Sequence, residues 1–272
     1  MITCAVIPAA GLGTRLRPLT ATTPKELLPL GASHAQGDAG ALPAIAGALL
    51  EAQAAGIERV AVVISPRKEA LRAWLESGPF GALEIHIALQ PEPLGVLDAV
   101  ARGLALLNDP EAFAVLYPDY LHLPDQRALS QLALHAPEGD AVVFGLTEVT
   151  EASAARSGLT ARAITAPLAG PLRRIVALEA TGALEPGAVH TTFAELRGPC
   201  YAAALDRTLH GASPRDGVHL EVLGELARRG LLFGVMLDGD ILDLGVMAGY
   251  EDAARRFEAG AARWRADPRE SS

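Results

Sequence analysis

Short apolar runs alternate with stretches of helical spacing through the first half of the chain. Ile2–Ala9 (ITCAVIPA) reads as a buried strand that runs into a Gly-rich turn at Ala10–Thr14. Pro43–Ala55 is helix-like, and Gly56 stands where a left-handed residue would close it. Arg59–Ile64 (RVAVVI) is a second strand, Lys68–Glu76 a helix, and Glu84–Ala88 a third strand followed by the loop Gln90–Leu94. Leu97–Leu107 is a helix, Ala112–Tyr117 (AFAVLY) a fourth strand that ends in Pro118-Asp119, and Asp140–Leu146 a fifth. The second half is less regular. Arg174–Leu178 and Leu231–Leu237 read as strands, Val218–Arg229 as a helix, and Gly249–Trp264 as an amphipathic C-terminal helix before a frayed tail, Ala266–Ser272. Gly31–Leu42 is small, polar and Gly/Ala-rich, the composition of a flexible loop. The alternation predicts an α/β fold on a doubly wound, mostly parallel, Rossmann-like sheet. Ligands of such sheets bind beyond the carboxyl ends of the strands, and the Gly11 turn and Asp119 both fall at such ends.

Composition narrows this picture. With 272 residues, half of them hydrophobic, the chain can bury a large core, either as one α/β domain or as one domain with a small appendage. The net charge of −9 argues against nucleic acid or an anionic membrane as the main partner. It leaves room for a phosphate substrate, because a basic pocket can sit on an acidic protein. Two cysteines, Cys4 and Cys200, are too few for a disulfide framework, and Cys4 reads as a small buried hydrophobe. No N-terminal basic region precedes an apolar stretch, and no run reaches the roughly 20 apolar residues of a membrane span. A cytoplasmic enzyme is therefore expected. Basic charge is almost all arginine, and Lys25 and Lys68 are the only lysines. Lys25 draws attention for this reason, whereas Lys68 reads as incidental.

The candidate chemistry lies in Ala9-Ala10-Gly11-Leu12-Gly13-Thr14-Arg15-Leu16-Arg17-Pro18, followed by Pro24-Lys25-Glu26-Leu27-Leu28-Pro29. Glycines after a strand let successive backbone N–H groups cradle phosphates. Arg15 and Lys25 add positive charge, arginine as a bidentate fork and lysine as a compact point charge. A dinucleotide fingerprint would need a third glycine where Leu16 stands, and a Walker A loop would need Gly-Lys-Ser/Thr, which is absent.

The two segments together resemble the glucose-1-phosphate uridylyl- and thymidylyltransferase family of sugar-1-phosphate nucleotidyltransferases. Its hallmark is a strand, a Gly-x-Gly-Thr-Arg loop and then Pro-Lys-x-x-x-Pro. The resemblance implies that Ala10, Gly11, Gly13 and Thr14 bind the nucleotide and that Arg15 and Lys25 act in catalysis. It extends to Leu89-Gln90-Pro91-Glu92-Pro93-Leu94-Gly95, which is similar to the family's base-recognition loop. There Gln90 and the Gly95 backbone would read a uracil or thymine edge, the amide offering both donor and acceptor. Tyr117-Pro118-Asp119 and Ile241-Leu242-Asp243-Leu244-Gly245 match the family's two metal-binding aspartates, with Asp238 and Asp240 as rivals of Asp243. Two such carboxylates would hold Mg2+, with triphosphate oxygens and waters completing its octahedron. The implied partners are UTP or dTTP and a sugar 1-phosphate, above all glucose 1-phosphate, with dimers or tetramers common among relatives. Residues 1–150 would form the nucleotide half, 151–250 the sugar-phosphate half and 249–265 a C-terminal helix of one domain.

The second half departs from the pattern. Where the family carries Glu-Lys-Pro, the chain has Arg173-Arg174-Ile175-Val176-Ala177-Leu178-Glu179-Ala180, with no lysine. Arg173, Arg174 and Arg197 are the candidates to replace it at the sugar phosphate, and Glu179 is the candidate sugar-contacting glutamate. Ser157-Gly158 stands at the family's aromatic-Gly pair, so Gly158 joins the sugar-side candidates. Asp216-Gly217 stands where an acidic pair often precedes a helix, and Gly31–Leu42 exceeds the family's usual turn. A different phosphorylated acceptor, or a degenerate nucleotide-binding or regulatory protein, are the alternative readings.

Overall fold

The computed structural model describes residues 2–30, 42–78, 80–123, 127–154, 161–180, 184–211 and 218–265. Residues 31–41 of the predicted loop Gly31–Leu42, Gly158, the pair Asp216-Gly217 and the tail 266–272 lie outside the described residues, whereas Leu42 opens a short strand. In chain order the first half comprises β1 (Cys4–Ala9), β2 (Pro29–Leu30), β3 (Leu42–Pro43), α1 (Ala46–Ala54), β4 (Arg59–Ile64), α2 (Glu69–Glu76), β5 (Glu84–Leu89), α3 (Gly95–Leu106), β6 (Phe113–Leu116), β7 (Tyr120–Leu123), α4 (Ala128–His135) and β8 (Val142–Glu148). The second half comprises α5 (Glu151–Ala154), β9 (Ala161–Pro167), β10 (Leu172–Ala180), β11 (Val189–Arg197), α6 (Pro199–Gly211), α7 (Val218–Arg228), β12 (Leu232–Met236), β13 (Asp240–Asp243) and α8 (Met247–Arg265).

Nine strands form one sheet in the order β5-β4-β1-β6-β11-β8-β12-β10-β9. Four strands that the apolar runs predicted, β5, β4, β1 and β6, are parallel to one another, as are β12 and β8. The less regular half is built differently: β11 is antiparallel to both β6 and β8, and β10 is antiparallel to β12 and β9. The sheet therefore joins a doubly wound parallel part to a mixed part that is mostly antiparallel.

Alternation along the strands feeds two cores. Val6, Phe113 and Val115 pack with Leu97, Val100 and Leu104 of α3 and with Val222, Leu223 and Leu226 of α7. Ala5, Ile7, Ala114 and Leu116 face the opposite side, against Leu49 and Ala52 of α1, Leu71 and Leu75 of α2, and Leu129 and Leu132 of α4. Both faces are thus covered, which is why the central strands read as continuous apolar runs. Each of the Val, Leu, Ile and Phe side chains among them contributes about 1.5–3 kcal/mol when fully buried.

A third core sits at one end of the sheet. Leu16, Leu28, Leu30, Leu121, Leu242, Leu244 and Tyr250 pack together, and Tyr250 Oη donates to the Pro29 carbonyl at 2.8 Å. It fastens the Gly-rich turn, the Pro-Lys segment and α8 to the two-stranded ribbon of β7 and β13.

Candidate active site

Gly13 has φ +65° and ψ +26°, a left-handed conformation that L side chains disfavour. It turns the chain out of β1 into one 3-10 turn, Thr14–Leu16, whose Leu16 is buried as an anchor while Thr14 and Arg15 stay exposed. Thr20 Oγ1 donates to the Gly13 carbonyl at 2.7 Å and closes the loop. A Cβ on Gly13 would lie 3.3 Å from Lys25 Cβ, so the two halves of the motif are packed against each other. Gly11 is exposed and Ala10 half-buried, which leaves this backbone open to a ligand.

Lys25 opens a second 3-10 turn and donates to Asp119 Oδ2 at 2.6 Å, across 94 residues of chain. Asp119 lies between β6 and β7, at the carboxyl end of β6. Antiparallel pairing sets Asp243 opposite Tyr120, and Leu244 N donates to the Asp119 carbonyl at 2.7 Å. Gly245 N donates to Asp243 Oδ1 at 2.7 Å. A Cβ placed on Gly245 would meet Asp243 Oδ1 at 2.9 Å, Arg15 Nη2 at 3.0 Å and Asp119 Oδ2 at 3.5 Å. Arg15, Lys25, Asp119 and Asp243, named from four separate stretches of sequence, therefore converge. Asp238 and Asp240 are exposed, and Asp240 is engaged by Arg256, so Asp243 is the aspartate that the fold brings to Asp119. Burial by itself lowers the pKa of the Lys25 ammonium, but Asp119 and Glu26 outweigh it and hold it above its ordinary value. Lys25 is a fixed cation.

The two carboxylates suit a hard divalent cation such as Mg2+, because all the donors are oxygens. Among the described residues no group of three or more His, Cys, Asp or Glu side chains is placed to hold a metal. Two aspartates leave room for substrate oxygens and waters to complete such a shell.

Lys68 is not incidental. Its Nζ donates to both oxygens of Glu26, at 2.8 and 2.7 Å, and to the Ala9 carbonyl at 2.6 Å. Glu26 is 1% exposed. Lys68 thus ties the last residue of β1 to the neighbour of Lys25 and fixes both motif segments from below. Burial lowers its pKa, and Glu26 opposes the shift. The Arg-dominated composition was the signal available for it in the sequence, since a second lysine retained there is unusual.

Gln90 follows β5 and is buried, and Gly95 opens α3. Gln90 Nε2 donates to the Gly95 carbonyl at 3.0 Å and to Asp98 Oδ2 at 2.9 Å. The expectation that this amide offers both a donor and an acceptor needs correction, since both of its N–H groups are already engaged.

The sugar-side candidates are scattered. Arg197 is fully buried, donates through Nε to Glu195 Oε2 at 2.6 Å, and stacks on Tyr201 with its guanidinium carbon 4.0 Å from the ring centre. The expectation that Arg197 grips a substrate phosphate is therefore corrected: its charge is taken up inside the core by Glu195. Arg173 is half-buried and donates to the carbonyls of Gly170 and Leu172 in its own hairpin, at 2.7 and 3.0 Å. Arg174 and Glu179 are exposed on β10, which packs on β9, β12 and α7 rather than on the Asp119–Asp243 ribbon.

Residues 4–155, more than half of the chain, match the family described as nucleotidyl transferase. The chain is 32% identical over 176 residues to a UTP–glucose-1-phosphate uridylyltransferase of Bacillus subtilis (strain 168), covering 57% of each protein. It is 32% identical over 166 residues to the enzyme of that name from Mycoplasma pneumoniae, covering 53% of this chain and 54% of that one. The chain thus spans little more than half the length of these curated relatives. The fold is also that of a UDP-glucose pyrophosphorylase crystal structure, with TM-score 0.76 and 21% identity over 96% of this chain and 100% of that one. A UDP-glucose pyrophosphorylase from Acinetobacter baumannii superposes with TM-score 0.72 and 20% identity over 97% and 98% of the two chains. Among the described residues no helix is long and apolar enough to cross a membrane. By its motif, by the site that the motif builds and by the extent of this match, the chain belongs to the nucleotidyl transferase family.

Proposed function

We propose that the protein transfers a nucleoside monophosphate from UTP or dTTP to a sugar 1-phosphate, releasing pyrophosphate, with glucose 1-phosphate as the first acceptor to test. The observation that carries this reading is the convergence of Arg15, Asp119 and Asp243 around Gly245, with Lys25 bonded to Asp119. The relatives named for UTP and glucose 1-phosphate support the choice of substrates.

An oxygen of the sugar phosphate attacks the α-phosphorus in line. A new P–O bond forms there, the bond from the α-phosphorus to the oxygen bridging to the β-phosphorus breaks, and pyrophosphate leaves with that electron pair. The attacking oxygen is already ionised near neutral pH, so no general base is needed. Backbone N–H groups of Ala10, Gly11, Gly13 and Thr14 cradle the triphosphate. Arg15, on an exposed turn, holds its tail. Lys25 carries its charge to the α-phosphate and stabilises the negative charge that gathers there. Asp119 and Asp243 would hold Mg2+, which when bound neutralises phosphate charge and reduces repulsion between the two anions. Gln90 and Gly95 take the base. On the acceptor side Arg173 or Arg174 meets the sugar phosphate, with Glu179 and Gly158 on the same half of the chain. In this division residues 1–150 serve the nucleotide and 151–250 the acceptor.

The test is pyrophosphate release with magnesium, crossing UTP, dTTP, CTP and ATP with a panel of sugar 1-phosphates. Turnover that requires one sugar phosphate and falls about 100- to 1,000-fold in Lys25→Ala is expected. Unchanged turnover in Asp119→Asn would show that the metal assignment is wrong. Silence across the panel with UTP still binding would favour another phosphorylated acceptor.

A further inference from the structure

A primary amide carries two hydrogens on nitrogen and lone pairs only on oxygen. Both hydrogens of Gln90 are engaged, by the Gly95 carbonyl and by Asp98 Oδ2. Both partners are acceptors. The Asp98 oxygen also receives Arg102 Nε at 2.6 Å, and Arg102 Nη1 donates to the carbonyl of Leu89, the residue before Gln90, at 3.2 Å. Turning the Gln90 amide over would set its oxygen against two other oxygens. The orientation is thus decided by chemistry. The Gln90 backbone is pinned as well, because its N–H donates to the Ile64 carbonyl at 2.9 Å. The group left to face a ligand is Gln90 Oε1, which can only accept.

An acidic residue in the first turn of a helix paired with an arginine four residues on is ordinary surface architecture. Asp98 differs in two ways. It is 8% exposed, and the oxygen that pairs with Arg102 is the one that holds Gln90.

We infer that Asp98, braced by Arg102, is a specificity-determining residue that fixes Gln90 as a hydrogen-bond acceptor and so selects uracil or thymine over cytosine. The inference rests on the nucleotidyl-transfer reading and deepens it. Uracil and thymine carry an N3–H between two carbonyls, and that hydrogen meets Gln90 Oε1. Cytosine presents a bare N3 lone pair at the same place, so two acceptors would face each other in a site with little water. Leaving a buried acceptor unpaired weakens binding by about 10- to 100-fold. Asp98 never touches the base. It acts by denying Gln90 its second orientation.

Binding of UTP, dTTP and CTP to the full chain, measured by calorimetry with magnesium, tests this in wild type, Asp98→Asn and Asp98→Leu. Melting curves verify that each variant is folded, and Asp98→Ala serves if the leucine variant is not. The wild type is expected to prefer UTP and dTTP over CTP by about tenfold or more. Asp98→Leu removes one of the two acceptors that oppose the turned amide and leaves only the Gly95 carbonyl, so that preference shrinks by up to about tenfold, chiefly because CTP binds better. Asp98→Asn keeps an oxygen for Gln90 and Arg102 and retains most of the preference. Equal weakening of all three nucleotides in Asp98→Leu, or a wild type that does not discriminate against CTP, would overturn the inference. A folded wild type that binds no nucleotide would instead overturn the nucleotidyl-transfer reading beneath it.

Discussion

Two regions of this sheet handle positive charge in opposite ways. Around the Gly-rich turn, cations reach partners far away in sequence: Lys25 to Asp119 across 94 residues and Lys68 to Glu26 across 42. On β10 and β11 two arginines bond close to home. Arg197 bonds to Glu195 two residues away, and Arg173 to carbonyls of its own hairpin. Long-range pairs hold separate segments in one geometry, which is what a preorganised site requires. Local pairs satisfy a charge without assembling anything. The segments around the Gly-rich turn are therefore held together, whereas β10, between β12 and β9, carries the exposed Arg174.

Arg197 carries the largest expected effect. If it serves the core alone, Arg197→Leu leaves the Glu195 carboxylate buried without its countercharge, though still hydrogen-bonded to Tyr117, and stability should fall by about 3 kcal/mol in urea unfolding. Replacing both, as Glu195→Leu with Arg197→Met, should recover much of that loss, because an apolar pair of similar volume carries no desolvation penalty. A stable single variant with a raised KM for the sugar phosphate would return Arg197 to the acceptor site.

Glu51 probes the other half. It is buried in α1 and accepts from Leu129 N at 2.8 Å, near the start of α4. Burial pushes its carboxyl up to about 7, against the pull of the Leu129 amide and of Arg127. Below pH 4.5 it is protonated in folded and unfolded chains alike. Between pH 4.5 and about 7 the unfolded chain releases the proton that the folded chain retains, so stability falls as pH rises, by about 3 kcal/mol, and then levels off. Glu51→Gln should flatten this slope when urea midpoints at pH 5 and pH 8 are compared. An unaltered slope would show that Glu51 ionises normally in the fold.

The smallest expected effect is at β10. Arg173→Ala and Arg174→Ala should leave stability within about 0.5 kcal/mol of wild type. One of them should raise the KM for the sugar phosphate about tenfold with kcat retained, since a contact made equally in ground and transition states affects binding alone. No change in either variant would direct the search to other cations of the second half.

Legibility in the sequence followed the same division. β4 was readable to the residue, because a strand covered on both faces is continuously apolar. β11 was missed, because His190, Thr192, Glu195 and Arg197 interrupt its apolar pattern, although all four are buried. β7 and β13 are four residues each, too short for any periodicity to register. Asp98 and Arg102 lie inside the helix Leu97–Leu107 with no motif to mark them, and no motif includes Lys68.

Read alone, the sequence names the candidate groups of the site. A Gly-rich turn after a strand, a lysine after proline and two aspartates after apolar runs are local statements, written in consecutive residues. Only the tertiary structure decided which charges meet and which are already committed. It brought Asp243 rather than Asp240 to Asp119, by pairing β13 with β7. It buried Arg197 against Glu195 and oriented Gln90 through Asp98. The physical reason is that a charged or amide group in a low-dielectric interior takes its role from the partner it meets, and long-range partners are set by how the sheet is wound.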